Sequence, residues 1–514
     1  MAGSSSSDRV PVAIVGGGPV GLSLALGLAR HGVRSVLVER KETTSTRSKA
    51  PFIQVRTREV FRQWGIEDRF LAAGTLLEEI KFHSRGSLVA SVDYSVLDDE
   101  ADHPGLLVLE QARTEKLLLE AVLEAGLCDI RFATEATALE QHADGVHLKC
   151  RDKDAEYTID AEFVAGCDGA GSFTREVLGL PFDGSTYSLR PTLADVRIDD
   201  KRDELPWPRI WNGRGGLTAA LRLEPGLWRL IRFERGEPNA EEAVPESETK
   251  QHVGTTLGPG PFEVVWASRF RIHLRSAPTF RIGRVLLAGD AAHIHSPAGA
   301  FGMNGGIQDA HNLAWKLAAA LDGGNMELLL DSYDVERRAV TVETFSIYAD
   351  FLTRMFPQSP AALRTLAFRM VRFVLAIRPV GKAILRRLSM IGIAYDKSPL
   401  LPPEDNTAGK RLPNPMLRTP DGREVRLYDL APNAAFLLNI SATDGDQTLP
   451  PVEHVIRIGA GALEDPSAIL HRLTNGDEGW ILVRPDRHIA WTGASCPSEE
   501  SMMFGLGLQR RRTT

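Results

Sequence analysis

Three glycines and one acid near the start of the chain have the spacing of a dinucleotide-binding site. Gly16, Gly18 and Gly21 form a G-x-G-x-x-G pattern between the apolar run VAIV and the helix-like run LSLALGLAR, and Glu39 ends the next apolar run. The first glycine permits a tight turn, the second leaves room for a pyrophosphate, and the third lets helix and strand pack closely. The helix start directs free N–H groups at the phosphates, and the acid accepts hydrogen bonds from the ribose. These residues predict dinucleotide binding and leave FAD and NAD both open.

A Gly-Asp pattern and a glycine-rich loop occur much later, in GRVLLAGDAAHIHSPAGAFGMNGG from residue 283. Asp290 ends a predicted buried strand, where an ionised carboxylate needs hydrogen-bond donors. The ribityl hydroxyls of a flavin would supply them, and capping a helix is the alternative use of an aspartate there. The loop leads into a predicted helix, so the backbone N–H groups of Gly302, Met303 and Asn304 can face a developing negative charge.

The surrounding pattern predicts the elements that must hold these residues. Residues 10 to 184 alternate β-branched runs with helical patterns, as parallel strands with crossover helices do. Residues 185 to 282 show alternating runs with turn signals, typical of an antiparallel sheet, and residues 283 to 345 return to a buried strand and a helix. A disordered tail over 1 to 9, a helical segment over 346 to 400 and a small α/β unit over 410 to 514 complete the predicted order.

Composition narrows the classes of protein that this chain can be. The net charge of -7 argues against a general nucleic-acid binder, which needs a basic face. Four cysteines without a C-x-x-C pair predict reduced thiols and neither a disulfide framework nor a zinc site. Between residues 368 and 395 charges recur too often for a membrane span, so packing helices are favoured over a membrane-surface helix.

Three motifs occur together in this order: the glycine fingerprint, an Asp-Gly pattern in AGCDGAGSFTRE (165 to 176) and the Gly-Asp pattern. Together they resemble the motifs of the class A flavoprotein monooxygenases, the FAD-dependent aromatic hydroxylases with the p-hydroxybenzoate hydroxylase fold. The resemblance implies an α/β fold: a Rossmann-type FAD-binding domain with an inserted antiparallel-sheet substrate domain. ILVRPDRHIAW resembles the end of the thioredoxin-like C-terminal domain of larger members. The resemblance covers residues 10 to 345 and, more weakly, this last unit.

The resemblance also implies which residues contact FAD. Asp168 and Gly169 match the motif near the flavin and the route of NAD(P)H, Gln111 matches a flavin contact at a helix start, and Arg47 matches an arginine that reaches the flavin or its phosphates. The alternatives are a turn, a surface glutamine and an exposed loop arginine. The predicted cofactor-binding set is Gly16, Gly18, Pro19, Gly21, Glu39, Arg40, Arg47, Gln111, Asp168, Gly169, Asp290, Pro297, Gly302, Met303 and Asn304.

The flavin loop departs from the family pattern in one place. Pro297 would lie on the substrate side of the flavin ring, but Ala300 and Phe301 replace the small and polar pair of the usual GGQGMN. That replacement leaves open how the loop contacts the flavin edge. His293 and His295 flank one residue beside the loop without a third ligand at zinc-like spacing, so no metal site is expected there.

The implied activity is hydroxylation of a phenolic or polyketide-type aromatic substrate. NADPH or NADH would reduce FAD, oxygen would add to form a flavin C4a-hydroperoxide, and its distal oxygen would pass to the ring. Baeyer–Villiger or epoxidising chemistry on a polycyclic ketone is an alternative, and so is a non-catalytic flavin-binding protein. The expected partners are a small aromatic or polycyclic substrate and molecular oxygen, with no nucleic acid and no membrane span. A monomer or homodimer in the cytoplasm is expected.

For the substrate pocket, the sequence offers aromatic candidates and no catalytic residue. No catalytic residue is assigned, because the cofactor itself carries the reactive oxygen. Aromatic side chains in the predicted sheet could line the pocket, although aromatic residues in strands more often belong to a core. These candidates are Trp211, Trp228, Phe233, Trp266 and Phe270.

Overall fold

The structure is a computed structural model that describes most of the 514-residue chain. The described residues are 9–45, 50–84, 87–213, 216–236, 244–355, 358–441, 454–459, 461–474 and 478–509. Arg47 and residues 1–8 of the predicted tail lie outside them.

The helices and strands follow the predicted order of units. The first part contains β1 (Val10–Val15), α1 (Pro19–Arg30), β2 (Ser35–Val38), β3 (Phe52–Ile53), α2 (Val55–Gln63), α3 (Glu67–Ala73), β4 (Thr75–Leu77), β5 (Glu79–Ser84), β6 (Ser87–Asp93), β7 (Leu106–Val108), α4 (Gln111–Ala125), β8 (Cys128–Arg131), β9 (Glu135–Gln141), β10 (Val146–Arg151), β11 (Glu156–Gly166) and α5 (Phe173–Val177). The next part contains β12 (Asp183–Thr186), β13 (Leu189–Arg197), β14 (Arg209–Gly213), β15 (Gly216–Glu224), β16 (Leu227–Arg235), α6 (Glu246–Thr256), β17 (Glu263–Arg269) and β18 (His273–Ser276).

The chain then returns to the first domain and ends in a separate unit. The returning part contains β19 (Arg281–Ile282), β20 (Val285–Leu287), β21 (His293–Ile294), α7 (Phe301–Leu321), α8 (Met326–Arg338), α9 (Ser346–Met355), α10 (Ala361–Ala376) and α11 (Arg378–Leu388). The last part contains β22 (Met416–Arg418), β23 (Glu424–Arg426), β24 (Phe436–Ser441), β25 (Val455–Gly459), β26 (Gly479–Val483), β27 (Ile489–Gly493) and α12 (Glu499–Gly505).

Parallel strands form the centre of the first domain, in the order β20-β11-β1-β2-β8. β2 and β20 are buried along their whole length, as expected when a parallel sheet is covered on both faces. Helices α1, α4 and α7 pack on one face in the largest apolar core of the described residues. The β9–β10 hairpin continues the sheet from β11 and closes a second core on the other face. The prediction of a Rossmann-type α/β domain is confirmed.

A second sheet has the order β17-β13-β16-β15-β14-β5-β6, with antiparallel pairs except between β14 and β5. It therefore takes β5 and β6 from inside residues 10 to 184, which the predicted domain boundary does not account for. One face packs on α6, where Trp228 is fully buried and donates to Asp203 at 2.8 Å. Trp228 thus belongs to this core.

Helices α9 to α11 occupy residues 346 to 400, the segment that the sequence predicts to be helical. α10 buries Arg364 and Ala367, and the Arg364 Nε donates to Asn212 Oδ1 of β14 at 2.6 Å. Its outer face leaves Met370 and Phe373 exposed, so α10 has an apolar solvent-facing side as well as a packing side. In the part of the chain that the structure describes, no helix combines the length and apolarity that crossing a bilayer requires.

The C-terminal unit is a four-stranded mixed sheet in the order β25-β24-β26-β27 with its own core. Buried ionic contacts attach it to the first domain. Arg484 donates to both Glu336 oxygens at 2.6 and 2.9 Å, and Asp486 accepts from Asn312 at 3.0 Å and from Trp315 at 3.1 Å. The unit therefore packs on α7 and α8.

Candidate functional site

The predicted motif residues lie at one edge of the parallel sheet. Gly16 follows β1, Glu39 follows β2, Asp168 follows β11 and Asp290 follows β20, and these four strands are neighbours. Because parallel strands bring their carboxyl ends to the same edge, residues distant in sequence meet there. This edge of an open α/β sheet is where ligands bind.

The glycine loop has the close contacts that its sequence predicts. Gly16 has φ of 108°, and a Cβ on it would lie 2.5 Å from the carbonyl oxygen of Cys167. A Cβ on Gly21 would lie 1.9 Å from the carbonyl oxygen of Gly16. A Cβ on Gly18, by contrast, would have no protein atom within 4 Å. Gly16 and Gly21 are thus required by the protein itself, whereas Gly18 keeps a space open at the start of α1, next to Pro19.

Glu39 is half-buried and fixes the glycine loop. Its Oε2 accepts from the N–H of Gly17 at 2.7 Å, and its Oε1 accepts from the N–H of Lys41 at 3.0 Å. Each carboxylate oxygen has a second lone pair, so the side chain can still accept from ribose hydroxyls. The neighbouring Arg40 is exposed.

Gln111 stands at the first position of α4, as the resemblance implies. It is half-buried, and its Nε2 donates to Glu115 Oε1 at 2.9 Å, while the other oxygen of Glu115 accepts from the N–H of Ser45. Burial raises the pKa of Glu115, partly offset by the hydrogen bond from Gln111. The contact ties the start of α4 to the loop that follows β2.

Asp168 makes a compact set of contacts within its own loop. It accepts from Ser172 Oγ at 2.5 Å and from the N–H and hydroxyl of Thr174 at 2.9 and 3.0 Å. Gly169 has φ of 81°, a left-handed conformation that favours glycine. These contacts account for the conformation of the Asp-Gly loop, and a direct contact of Asp168 with FAD stays a prediction.

Arg175 is a residue that the sequence analysis missed. It is buried and donates to the carbonyl oxygens of Ala170 and Ala291, each at 2.9 Å. It therefore joins the Asp-Gly loop to the Gly-Asp turn. Its place in SFTRE, directly after the Asp-Gly pattern, was the available signal.

The carboxylate buried against this turn belongs to Asp309 of α7, whereas Asp290 is a residue of the turn itself. Asp290 lies in a short 3₁₀ turn beyond β20, and its side chain is exposed. Asp309 accepts from the N–H of Gly289 at 3.0 Å, from His293 at 2.7 Å and from Arg337 at 2.6 Å. The strand ends three residues before Asp290, so the turn directs that side chain outward.

Asp309 holds the Gly-Asp turn against α7 and α8 through charge. Burial alone would raise the pKa of its carboxyl, but Arg337 and His293 hold that pKa well below its usual range. The His293 side chain thus holds the turn through its contact with Asp309. Burial and the neighbouring His293 lower the pKa of His295 well below its ordinary value, which keeps this imidazole neutral near pH 7.

The loop before α7 is shaped by the two residues that depart from the family pattern. Ala300 has φ of 57° and precedes the first residue of α7, while Phe301 is fully buried and stacks on Phe345 with ring centroids 5.0 Å apart. Asn304 donates to the carbonyl oxygens of Phe52 and Ala300 and accepts from Gln54. The Asn304 side chain thus anchors the helix start.

Gly302 and Met303 remain at the surface of that helix start. Met303 is only partly buried, and a Cβ on Gly302 would have no protein atom within 4 Å. Neither α1 nor α7 has a side-chain cap or an acid in its first turn. Two helix starts thus present N–H groups that their own side chains do not occupy. This arrangement fits FAD, whose pyrophosphate and flavin edge are both electron-rich.

An apolar groove lies beside the flavin loop. It has a volume of about 830 Å³ and is lined by β12, β18, α9 and the start of α10, and its apolar residues include the solvent-exposed Ile347, Phe351 and Leu363. β18 pairs with β21, the strand that leads to Pro297, whose side chain is exposed. The three-stranded sheet β12-β18-β21 and the helical segment thus supply walls of the groove, and none of the aromatic pocket candidates from the sequence lines it.

The family models match this division of the chain. Residues 9–346 match the FAD binding domain family, and residues 405–504 match the family described as aromatic-ring hydroxylase, C-terminal. The chain belongs to the FAD-binding aromatic-ring hydroxylases. It is an FAD-dependent monooxygenase, as the motifs imply.

Relatives of known name are similar over nearly the whole chain. An uncharacterised aromatic compound monooxygenase, YhjG, of Bacillus subtilis is 32% identical over 97% of each chain. The 12-dehydrotetracycline 5-monooxygenase/anhydrotetracycline 6-monooxygenase of Streptomyces rimosus is 32% identical over 95% of this chain and 96% of its own. Among solved structures, aklavinone-11 hydroxylase with FAD and aklavinone has a TM-score of 0.80 and 26% identity over 97% of this chain and 99% of that one.

Proposed function

We propose that this monooxygenase hydroxylates a polycyclic aromatic substrate of the polyketide type, with NADPH or NADH as reductant. The observation that carries the proposal is the apolar groove of about 830 Å³ next to the strand that leads into the flavin loop. A groove of this size suits a molecule of several fused rings. The names of the relatives that act on anhydrotetracycline and aklavinone support the same class of substrate.

The residues that would hold FAD follow from the geometry of the sheet edge. The N–H groups at the start of α1 would bind the pyrophosphate and Glu39 the adenosine ribose, since its carboxylate has lone pairs left. Asp290 would accept from the ribityl hydroxyls, because it is exposed at the carboxyl end of β20. Bound FAD supplies the capacity to take hydride from a nicotinamide and to activate oxygen.

The start of α7 would stabilise negative charge on the reduced cofactor. Gly302 and Met303 lie in the first turn of a 21-residue helix whose start carries no acid, so its positive dipole end is not neutralised. Asn304 keeps this turn in place through its three hydrogen bonds. The chain's role at this helix start is thus to orient the cofactor and to stabilise its negative charge.

Substrate-stimulated consumption of NAD(P)H tests the proposal. The FAD-loaded protein is mixed with NADPH or NADH and, separately, with simple phenols and with fused-ring aromatic polyketides. Faster oxidation with the fused-ring compounds is expected, with a hydroxylated product. Stimulation by simple phenols alone would contradict the substrate class, and a ring-expanded ester would indicate the Baeyer–Villiger alternative.

We also propose that the protein works in the cytoplasm. All four cysteines are free, which suits a reducing compartment. Fractionation of the source cells with an antibody would test this, and recovery outside the cytoplasm would contradict it.

A further inference from the structure

Two histidines and an aspartate meet on the β9–β10–β11 part of the first sheet. His147 on β10 stands directly opposite Asp160 on β11 in the antiparallel register, and directly opposed residues share a face. His142 follows the last residue of β9, and its N–H donates to the carbonyl oxygen of Gly145 at 2.9 Å to close the turn. A β-hairpin and its neighbouring strand therefore fix the positions of all three side chains.

The distances between the polar atoms suit a common ligand. Asp160 Oδ1 lies 3.5 Å from His142 Nε2 and 3.8 Å from His147 Nε2, and all three ligand atoms lie within 4.8 Å of one another. In tetrahedral zinc sites the metal–ligand bonds of about 2.0 Å place neighbouring N and O ligands roughly 3.3 Å apart. Small side-chain rotations would bring the three atoms to that spacing.

The carboxylate oxygen at the centre of the group lacks a hydrogen-bond donor. Asp160 Oδ1 is buried and accepts no hydrogen bond from any residue that the structure describes. A buried carboxylate oxygen without a partner is costly, and in native proteins such an atom usually has a water or an ion beside it. The two imidazoles approach this same oxygen, so a cation bound between them would be its partner.

We propose that His142, His147 and Asp160 bind a divalent first-row metal ion of the zinc type, with solvent completing the coordination. Imidazole and carboxylate ligands suit this class of ion. The sequence predicts no metal site, since His293 and His295 lack a third ligand and no C-x-x-C pair occurs. The proposal is independent of the monooxygenase activity.

The site would act as a clamp and would not take part in catalysis. Asp160 precedes the end of β11 by six residues, which at about 3.3 Å per residue is roughly 20 Å of strand. The metal would therefore lie far from the edge that carries Asp168. It would join the β9–β10 turn to β11 near the start of β1, where Val10 pairs with Ala161.

Calorimetric titration of the FAD-loaded protein with Zn²⁺, after removal of metals with a chelator, tests the proposal. We expect one equivalent to bind to the wild type, and binding to weaken by at least about tenfold in His142→Ala, His147→Ala and Asp160→Asn. His471→Ala removes a half-buried histidine outside the cluster and should leave binding unchanged. Zn²⁺ should also raise the melting temperature of the wild type, since a ligand of the native state stabilises it.

A second measurement separates loss of metal binding from misfolding. FAD content and circular dichroism of each variant should equal those of the wild type, because the cluster is remote from the cofactor edge. Absence of Zn²⁺ binding by the wild type, or equal binding by the wild type and His147→Ala, would overturn the proposal. The second result would mean that Zn²⁺ binding to the protein is adventitious.

Discussion

At the scale of single residues, Asp290 carries the most direct prediction about the cofactor. Asp290→Ala removes an acceptor for the ribityl hydroxyls, and we expect a loss of about 1–3 kcal/mol, or roughly five- to 150-fold in FAD affinity. Titration of the apoprotein with FAD measures this. Because the side chain is exposed, the apoprotein should keep its melting temperature. An unchanged affinity would show that Asp290 only shapes its turn.

Asp309 is the residue whose charge holds the Gly-Asp turn. Asp309→Asn leaves the buried guanidinium of Arg337 without its anion, and we expect the free energy of unfolding to fall by about 3–5 kcal/mol at pH 7. Denaturant unfolding measures the change. The exposed Asp154→Asn is the control and should change stability by less than about 0.5 kcal/mol.

The stabilisation by Asp309 also has a defined pH dependence. Arg337 and His293 keep the pKa of this carboxyl below its ordinary value against the effect of burial, so the unfolded chain takes up the proton first as pH falls. The contribution is complete above about pH 4 and is lost at lower pH. In Asp309→Asn the free energy of unfolding should therefore fall less steeply at acid pH than in the wild type. The same dependence on pH in variant and wild type would contradict this role of Asp309.

At the scale of elements, two glycines of one motif have different tasks. A Cβ on Gly21 would meet the Gly16 carbonyl oxygen at 1.9 Å, whereas a Cβ on Gly18 would meet no protein atom within 4 Å. Gly21→Ala should destabilise even the apoprotein, by about 1–3 kcal/mol. Gly18→Ala should keep the apoprotein's stability and lose FAD affinity. Apoprotein melting and FAD titration together test the pair, and equal stability losses would contradict this division.

The groove lined by β12, β18 and α9 predicts an effect on substrate binding. Phe351 lines the groove, and Phe351→Ala should raise the KM for a fused-ring substrate by roughly five- to 30-fold, the equivalent of about 1–2 kcal/mol of apolar contact. NAD(P)H oxidation without substrate should not change. Phe373→Ala, on the exposed face of α10, is the matched control. An unaltered KM in Phe351→Ala would place the substrate elsewhere.

At the scale of the whole molecule, the sequence predicts the parts better than the contacts between them. The periodicity of apolar residues and the spacing of the glycines identify β1, α1 and β2, because these signals come from residues close together in the sequence. The burial of Asp309 depends on Arg337 and His293, which meet only after folding, and β5 joins the substrate sheet through a non-local pairing with β14. Local patterns carry no information of that kind.

The C-terminal unit illustrates the same limit. Its sequence predicts an α/β unit, but the contact with the first domain rests on Arg484 and Glu336, both fully buried. Burial lowers the pKa of the neighbouring Lys316 to about 7, although Glu336 at 2.6 Å acts in the opposite direction. Charges of this kind look like surface residues in a sequence, because only the assembled molecule buries them.

Transfer of labelled oxygen tests the central claim most directly. The FAD-loaded protein, NAD(P)H and a fused-ring aromatic polyketide are incubated under oxygen-18 gas in ordinary water, and the product is analysed by mass spectrometry. We predict one oxygen-18 atom as a new ring hydroxyl, with one NAD(P)H consumed per product formed. A product without the label, or NAD(P)H oxidation that yields only hydrogen peroxide with every aromatic compound supplied, would contradict the assignment as an aromatic-ring monooxygenase.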